Sequence, residues 1–279
     1  MNTTQDEYAR KVLRVSRHLE ANLDEAIAPR ELAKIAGMSL HHFHRVFRGQ
    51  IGESVMEHVR RLRLERAARG LRTSDHAVVR IALEAGYGSH EAFTRAFTKH
   101  FGIAPRRYRD DRSTEVSQAR AERTAPRLPV TIREEPERTV LYMRRVGLYS
   151  EVGKLWQQFF PWLMANGIPL RETLARVSDD PEVTPGDKLR YDACMVVDPE
   201  QPVPDGPVDR AVIAGGRYAI VTHKGPYEDL KDSYVDLIGR WFPQSGEALD
   251  DVPVIERYLN LPTEVAPADL RTEIAVRIR

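Results

Sequence analysis

The strongest constraint on the fold of this chain is a pattern that occurs twice, fifty positions apart. The pattern is S-x3-F-x-R-x-F-x4-G, and its copies begin at Ser39 and Ser89. Its two phenylalanines are four residues apart, which places them on one face of a helix. Serine is a preferred residue before the first turn of a helix, and glycine commonly follows the last turn. Each copy therefore predicts a short capped helix that buries its aromatic face and exposes its basic residues.

A second, shorter helix is predicted before each copy. Pro29 suits the start of a helix because its missing N–H needs no partner there, and Gly37 suits the end. In the second copy, Ile81 and Leu83 lie in a helical segment that ends at the glycines of residues 86–88. A short helix, a glycine-containing turn and a second helix with a basic face are typical of a helix-turn-helix unit.

The segment between the two units, residues 53–71, is predicted to form one long helix. A rigid spacer of this kind could hold two recognition helices about 34 Å apart, which is one turn of DNA. Its basic residues are equally consistent with a solvated helix face. They are Arg60, Arg61, Arg63, Arg66 and Arg69.

Charge divides the chain at about residue 112, although the net charge is only +1. Residues 1–112 hold 21 Lys and Arg against 14 Asp and Glu, whereas residues 113–279 hold 21 against 27. The first part therefore carries +7 and the second −6, and eight of the nine histidines lie in the first. A basic first part favours a polyanionic partner, whereas an acidic second part favours a neutral or cationic one.

The segment between the two parts is rich in small polar residues and has two prolines near its end, as expected of a linker. We assign residues 1–112 to a first domain, 113–128 to the linker and 129–279 to a second domain. Five strand-like runs follow the linker: TVLYMRRV, DACMVVD, YAIVTHK, VIERYLN and TEIAVRI. The predicted fold is multidomain, with an all-α N-terminal domain of two helix-turn-helix units and an α+β C-terminal domain.

The C-terminal part is duplicated as well. GLY at residues 147–149 matches GPY at residues 225–227, and LRYDAC at residues 189–194 resembles LRTEIA at residues 270–275. In each copy a strand leads into Gly-x-Tyr and then into a helix rich in aromatic residues. The C-terminal domain is therefore predicted to consist of two βααβ-like repeats.

Residues from about 8 to 112 resemble the DNA-binding domain of the AraC/XylS family of bacterial transcription regulators. The resemblance rests on both helix-turn-helix units, their spacing and the closing segment FGIAPRRYR, residues 101–109. It implies base contacts from the exposed faces of the two recognition helices, by His41, His44, Arg45, His90, Glu91, Thr94 and Arg95. Phosphate contacts are expected from His42, Arg48, Lys99, Arg106 and Arg107. The two capping serines, Ser39 and Ser89, complete the predicted DNA-binding set.

Two other interpretations of the histidines were weighed. His41 and His44 have a spacing that could bind zinc, but the neighbouring sequence offers no cysteine or acidic third ligand. A solvated surface is the plainer alternative for any one of them. The sequence therefore predicts neither a metal site nor a cofactor.

The C-terminal part resembles the GyrI-like effector-binding domain, and both domains together resemble the Rob-like regulators. The matching segments are THKGPYEDLKDSY, PVIERYLN and LRTEIAVRI. The resemblance implies a pocket glutamate at Glu256, which shares one strand face with Val254 and Tyr258. A surface ion pair with a nearby arginine is the alternative for Glu256. The other predicted ligand-binding residues, each of which could instead be plain core, are Tyr149, Trp156, Phe160, Tyr227, Tyr234, Trp241 and Tyr258.

These observations predict a one-component transcription regulator rather than an enzyme. Its partners would be double-stranded promoter DNA and an apolar small-molecule effector that can carry positive charge, with RNA polymerase as a further candidate. No apolar run approaches the roughly 18–20 residues that span a membrane, so a cytoplasmic location is expected. The alternatives are a GyrI-like hydrolase that acts through Glu256, and a protein that only sequesters small toxic compounds.

Overall fold

The computed structural model describes residues 3–110 and 127–279. They fall into two compact units, one within Met1–Gln118 and the other within Ala119–Arg279, and each is described by itself. Most of the predicted linker, 113–128, lies outside the described residues. Its last residue, Leu128, is described and packs against an apolar cluster of the second unit.

The first unit is all-α. Its helices are α1 (Thr3–Ala21), α2 (Pro29–Ile35), α3 (Leu40–Ile51), α4 (Val55–Thr73), α5 (Val78–Glu84) and α6 (His90–Phe101). Residues 105–110 are also helical. The pairs α2–α3 and α5–α6 are the two helix-turn-helix units, and α4 joins them.

The duplicated sequence pattern has the same structural role in both units. Ser39 accepts a hydrogen bond from the backbone N–H of His42, and Ser89 accepts one from Ala92, at 3.4 and 3.1 Å. Each helix ends at a glycine in the left-handed conformation, which a side chain with a Cβ would strain. The four phenylalanines of the pattern are fully buried, and their rings contact each other in pairs within α3 and α6.

The second unit is built on an eight-stranded antiparallel sheet. Its strands are β1 (Thr131–Glu135), β2 (Arg138–Val146), β3 (Thr173–Val177), β4 (Arg190–Val196), β5 (Val208–Ile213), β6 (Gly216–Lys224), β7 (Val254–Tyr258) and β8 (Arg271–Arg277). Their order across the sheet is β1-β6-β8-β7-β3-β4-β2-β5. All five predicted strands are present, and the sequence analysis did not identify β1, β3 and β5.

Chain connectivity requires this sheet to curl. Strand β1 lies at one edge and β2 is next to the opposite edge, yet only two residues join them. In a flat sheet, strands six places apart would be separated by about 29 Å, which two residues cannot span. Strands β5 and β6 are joined in the same way, so the edges of the sheet approach each other at this end.

In chain order, each half of the second unit has two strands, a helical segment and two further strands, β1 to β4 in the first half and β5 to β8 in the second. This order has more strands than the predicted βααβ-like repeat. The third strand was missed because β3 is short and follows its helix without a strong sequence signal. In the middle of the sheet, the two halves meet at the antiparallel pair of β3 and β7, to which each half contributes one short strand. Both halves also share a hydrogen bond from a glycine N–H to a leucine carbonyl, Gly147 to Leu189 and Gly225 to Leu270.

One helical layer packs on one face of the sheet. It consists of α7 (Val152–Ala165), α8 (Leu230–Tyr234), a π-helical segment (Val235–Trp241) and α9 (Phe242–Ser245). The sequence predicted a regular helix where the π-helical segment occurs. In the described part of the chain, no helix combines the length and the apolar character that crossing a membrane requires.

Candidate functional site

The recognition helix of the first unit presents a basic surface. His41, His44, Arg45 and Arg48 are exposed on α3, on the side away from its buried phenylalanines. His42 is also exposed, and its ring contacts Tyr8 of α1 edge to face at 5.3 Å. Of the five residues of α3 that are predicted to contact DNA, His42 is therefore the one whose ring packs against α1. His41, His44, Arg45 and Arg48 therefore share one face of a capped helix, and their contact with DNA stays a prediction.

The corresponding helix of the second helix-turn-helix unit, α6, exposes His90, Glu91 and Arg95. Hydrogen bonds from its own backbone N–H and from Ser89 lower the pKa of Glu91, so this carboxylate is ionised and engaged at the helix start. The hydroxyl of Thr94 is buried, which makes it less accessible to a base edge than the sequence suggested. Arg106, in the helical segment that follows α6, is exposed.

Glu256 occupies the centre of the second unit. It lies on β7 opposite Ala175 of β3, where the two halves of the sheet meet, and only 6% of it is exposed. Val254 and Tyr258 share its strand face and pack against the cluster under α7. The alternation expected from the sequence therefore places Glu256 on the helix-covered face of the sheet.

A chain of hydrogen bonds leads to the Glu256 carboxylate. Tyr234 donates to Oε1 at 2.8 Å, and Tyr258 donates to Oε2 at 2.6 Å. The Tyr258 hydroxyl is 2.5 Å from that of Tyr191, which in turn accepts from Nε1 of Trp156 at 3.1 Å. An indole N–H only donates, and each hydroxyl has one proton, so these bonds all run in one direction. When Glu256 is ionised, Trp156 donates to Tyr191, Tyr191 to Tyr258, and Tyr258 to the carboxylate.

The environment shifts the proton equilibria of this cluster. Burial raises the pKa of Glu256, and the hydrogen bonds from Tyr258 and Tyr234 oppose that rise only in part. Burial and the nearby Glu256 carboxylate also raise the pKa of Tyr227, to about 12. The pKa values of Tyr234 and Tyr258 are raised well above the ordinary value by the same causes. The tyrosines therefore stay protonated and act as donors, whereas Glu256 is the group that titrates most readily.

Aromatic rings from both halves of the sheet surround this carboxylate. The ring of Trp156 lies 5.3 Å from Phe160 and 5.7 Å from Tyr258, and Tyr227 is 5.5 Å from Tyr258. All four of these rings are partly exposed. Together they can provide flat apolar walls and ring faces that attract a cation.

Two predicted ligand-binding residues have other contacts. The Tyr149 hydroxyl donates to the Asp179 carbonyl at 2.8 Å, and its ring is 6.2 Å from Tyr191 at the border of the cluster. Trp241 packs against the apolar cluster that contains Val221 and Leu237. It ends the π-helical segment, whose wider turns shift the direction of each following side chain relative to a regular helix.

The alternative of an ion pair at Glu256 does not fit the structure. Both of its oxygens accept hydrogen bonds from tyrosines, whereas the next residue, Arg257, points to the opposite face of the sheet. There it forms ion pairs with Glu135, Glu172 and Glu273.

Cys194 is fully buried, and burial raises the pKa of its thiol to about 12.

The described residues offer no metal site of three side chains. Among the residues that the structure describes, no group of three His, Cys, Asp or Glu side chains is arranged to hold a metal ion. His41 and His44 thus have no third ligand within residues 3–110 and 127–279.

Family models identify both units. The model of the GyrI-like small molecule binding domain matches residues 128–279, which is more than half of the chain. The chain belongs to the GyrI-like family. A helix-turn-helix domain model matches residues 32–111, and this domain is of the AraC type. The GyrI-like domain therefore contains the whole aromatic cluster around Glu256, and the helix-turn-helix domain contains α3 and α6.

Relatives with the same two domains extend over nearly the full chain. Transcriptional regulator Rob of Salmonella typhimurium is 27% identical over 285 residues, which cover 94% of this chain and 95% of Rob. The probable transcriptional regulator YgiV of Escherichia coli K12 is 32% identical over 124 residues, or 43% of this chain and 76% of YgiV. The cryo-EM structure of the EcmrR–DNA complex in EcmrR-RPo has a similar fold, with a TM-score of 0.50, 18% identity and coverage of 90% and 98%.

This GyrI-like protein is therefore a transcriptional regulator with a DNA-binding helix-turn-helix domain and a domain that binds small molecules.

The sequence analysis omitted one residue that the geometry brings to the GyrI-like site, Tyr191. A signal for it was present, because Tyr191, Ala193 and Met195 alternate on one face of β4. That alternation could show only that Tyr191 faces the helices, and its contact with Tyr258 depends on how β7 is placed.

Proposed function

We propose that α3 and α6 contact the bases of a promoter and that the GyrI-like domain controls this activity by binding an apolar cation beside Glu256. The observation that carries the proposal is the buried Glu256 carboxylate, which accepts hydrogen bonds from Tyr234 and Tyr258 beside the ring of Trp156. An apolar cation can neutralise the charge of Glu256, and its apolar groups can pack against the rings without bringing water to the carboxylate.

The DNA-binding part of the proposal is supported by the matched design of α3 and α6. Arg45 and Arg95 occupy equivalent exposed positions, and each helix has the same serine cap and the same buried phenylalanine pair. Arginine can donate two hydrogen bonds to guanine in the major groove. Two such helices on one rigid connection suit two adjacent half-sites.

The ligand part is supported by electrostatics. Removing a carboxylate from water is costly, and the raised pKa of Glu256 reflects that cost. A positively charged ligand lowers the cost of burying the carboxylate, because the resulting pair has no net charge. A neutral apolar ligand would contact the same rings but would leave the carboxylate uncompensated. Binding alters transcription only if the ligand prefers one arrangement or affinity state of the regulator.

The geometry favours binding over hydrolysis. A general base must hold a water within hydrogen-bond reach, and each Glu256 oxygen already accepts one bond, from Tyr234 or Tyr258, which leaves fewer acceptor sites for that water. We therefore propose that this protein is not an enzyme, and that Glu256 recognises rather than activates. RNA polymerase stays a predicted further partner.

The proposal is tested in two steps with the full chain. Selection from a randomised DNA duplex library should enrich two sequence blocks separated by about one helical turn. Phenyltrimethylammonium should then change the affinity for the enriched duplex, whereas its neutral isostere tert-butylbenzene should have a smaller effect. No sequence enrichment would contradict the DNA-binding role. Equal effects of both compounds would contradict the preference for a cation, and turnover of a compound would favour the hydrolase.

A further inference from the structure

Arg63 of the connecting helix α4 binds two backbone carbonyls of the turn between α1 and α2. Nε of Arg63 donates to the carbonyl of Leu23 at 2.8 Å, and its Nη2 donates to that of Glu25 at 2.7 Å. These residues form the turn after α1, whose buried side chains belong to the same core cluster as α2 and α3. Arg63 therefore holds α4 to the body of the first unit.

Arg63 and Arg66 also contact the second helix-turn-helix unit. Nη2 of Arg66 donates to the carbonyl of Glu84, the last residue of α5, at 2.7 Å and also contacts Asp24 of the first unit. The Arg63 guanidinium lies against Gly86, in the turn between α5 and α6. A Cβ at Gly86 would stand 2.9 Å from Cζ of Arg63, and the backbone there has φ of +76°, a conformation that favours glycine.

We infer that Arg63 and Arg66 are positioning residues that fix the separation and angle between α3 and α6. This arginine clamp, defined as Arg63 and Arg66, rests on the proposed DNA contacts of these two helices. Each guanidinium is a planar fork with several donors, so one side chain can hold groups from two segments at once. The Glu84 carbonyl, at the end of α5, carries partial negative charge, which strengthens its contact with Arg66.

The clamp restricts motions that α4 alone would permit. Helix α4 has 19 residues and is about 28 Å long, and the second unit is attached at its far end. Small rotations near that end would displace α6 relative to α3. The clamp ties the turn after α1 directly to the end of α5, so such rotations would break charge-assisted hydrogen bonds.

A fixed geometry predicts a fixed spacing between half-sites in DNA. One inserted base pair moves a half-site along the axis by about 3.4 Å and rotates it by about a tenth of a turn. The first test uses duplexes enriched by the wild-type protein, with one base pair inserted or deleted between the two blocks. Wild-type binding should fall at least about tenfold on the altered duplexes.

The double variant Arg63→Lys, Arg66→Lys keeps both positive charges but removes both forks. We expect it to lose spacing selectivity, with a difference of less than about threefold between the duplexes. Arg60→Lys is the matched control, because Arg60 lies exposed on the same helix. A double variant that retains the wild-type selectivity would overturn the clamp.

A second measurement does not depend on DNA. Spin labels at Gln50→Cys and Lys99→Cys, both exposed, would report the distance between α3 and α6, while the native Cys194 is buried and unreactive. The wild-type background should give a narrow distribution, and the double lysine background a broad or shifted one. An unchanged distribution would overturn the inference.

The two measurements separate the clamp from the DNA-binding proposal. If wild-type protein enriches no sequence but the distance distribution still broadens in the variant, the clamp stands and the DNA contacts fail. Circular dichroism checks that the variant folds. Should it not fold, Asp24→Asn offers a milder change in the same contact set, and the same broadening is expected from it, to a smaller degree. An unchanged distribution in that variant would then count against the clamp.

Discussion

Ala175 and Glu256 lie directly opposite each other in the central strand pair, and they are also equivalent positions of the two halves, 81 residues apart. On the other face of the sheet the duplication is preserved, because Arg176 pairs with Asp192 as Arg257 pairs with Glu273. On the helix-covered face it is broken, since one half contributes a methyl group and the other a carboxylate. The junction therefore holds one negative charge, and side chains from both halves surround it.

Replacing Glu256 with glutamine should separate charge recognition from shape. We expect phenyltrimethylammonium to bind about tenfold more weakly, a loss of ~1.4 kcal/mol, because the buried negative charge is gone. The neutral isostere tert-butylbenzene should lose less than about threefold. Isothermal titration calorimetry measures both. Unchanged affinity for the cation would remove Glu256 from the ligand site.

The affinity for that cation should depend on pH through Glu256. Burial raises its pKa above the ordinary 4.5, so the carboxyl group is neutral below the raised value and charged above it. Cation affinity should therefore rise as pH increases through the raised pKa. Stability should change in the opposite direction: the folded state holds the proton more tightly, so the free energy of unfolding falls as pH rises through this interval. Urea titrations at several pH values should show this fall in wild type and not in Glu256→Gln, and parallel curves would contradict it.

Tyr191→Phe should alter Glu256 without touching it. The substitution interrupts the hydrogen-bond chain from Trp156, which leaves Tyr258 a weaker donor to the carboxylate. The midpoint of the pH profile for cation affinity should move upward, because the charged form of Glu256 is less stabilised. Tyr218→Phe is the control, since the hydroxyl of Tyr218 donates to the Ala214 carbonyl. Equal midpoints in both variants and wild type would show that the chain has no influence.

Arg45→Ala and Arg95→Ala should each weaken specific DNA binding by about 1–3 kcal/mol and relax base preference at one position. Arg171→Ala removes the same charge from the other unit, where Arg171 forms an exposed ion pair with Asp198. It should therefore change affinity little. Fluorescence anisotropy at one fixed salt concentration compares the variants, because salt alone changes such affinities strongly. Wild-type binding by both arginine variants would refute the assignment of the recognition helices.

The first unit should lose stability in acid through Glu53. Burial raises the pKa of Glu53, but hydrogen bonds from His58 and Arg61 outweigh that effect and bring it to about 2. The folded state thus binds this proton more weakly than the unfolded state, and the associated stability is lost as pH falls from 4.5 towards 2. Glu53→Gln should cost up to about 2 kcal/mol at neutral pH after allowance for solvent screening, and the gap should narrow in acid. A gap that is constant with pH would contradict this origin.

Much of the first unit could be predicted because its signals are local. The serine caps, the paired phenylalanines and the terminal glycines act within one helix, and all appear where the pattern S-x3-F-x-R-x-F-x4-G places them. The same holds for the five strands with clear alternation and for the strand face of Glu256. Strands β1, β3 and β5 escaped prediction because each has only five or six residues and depends on its neighbours in the sheet.

The sequence by itself determined the two domain types, the capped recognition helices and the strand that carries Glu256. Only the tertiary structure decided that Trp156 and Tyr191, 35 residues apart, and Tyr258, 67 residues further on, form one hydrogen-bond chain. It likewise decided that Arg63 holds carbonyls about 40 residues before it rather than facing solvent. The physical reason is range: periodicity and capping depend on residues within one or two turns, whereas these contacts exist only after distant segments have packed together.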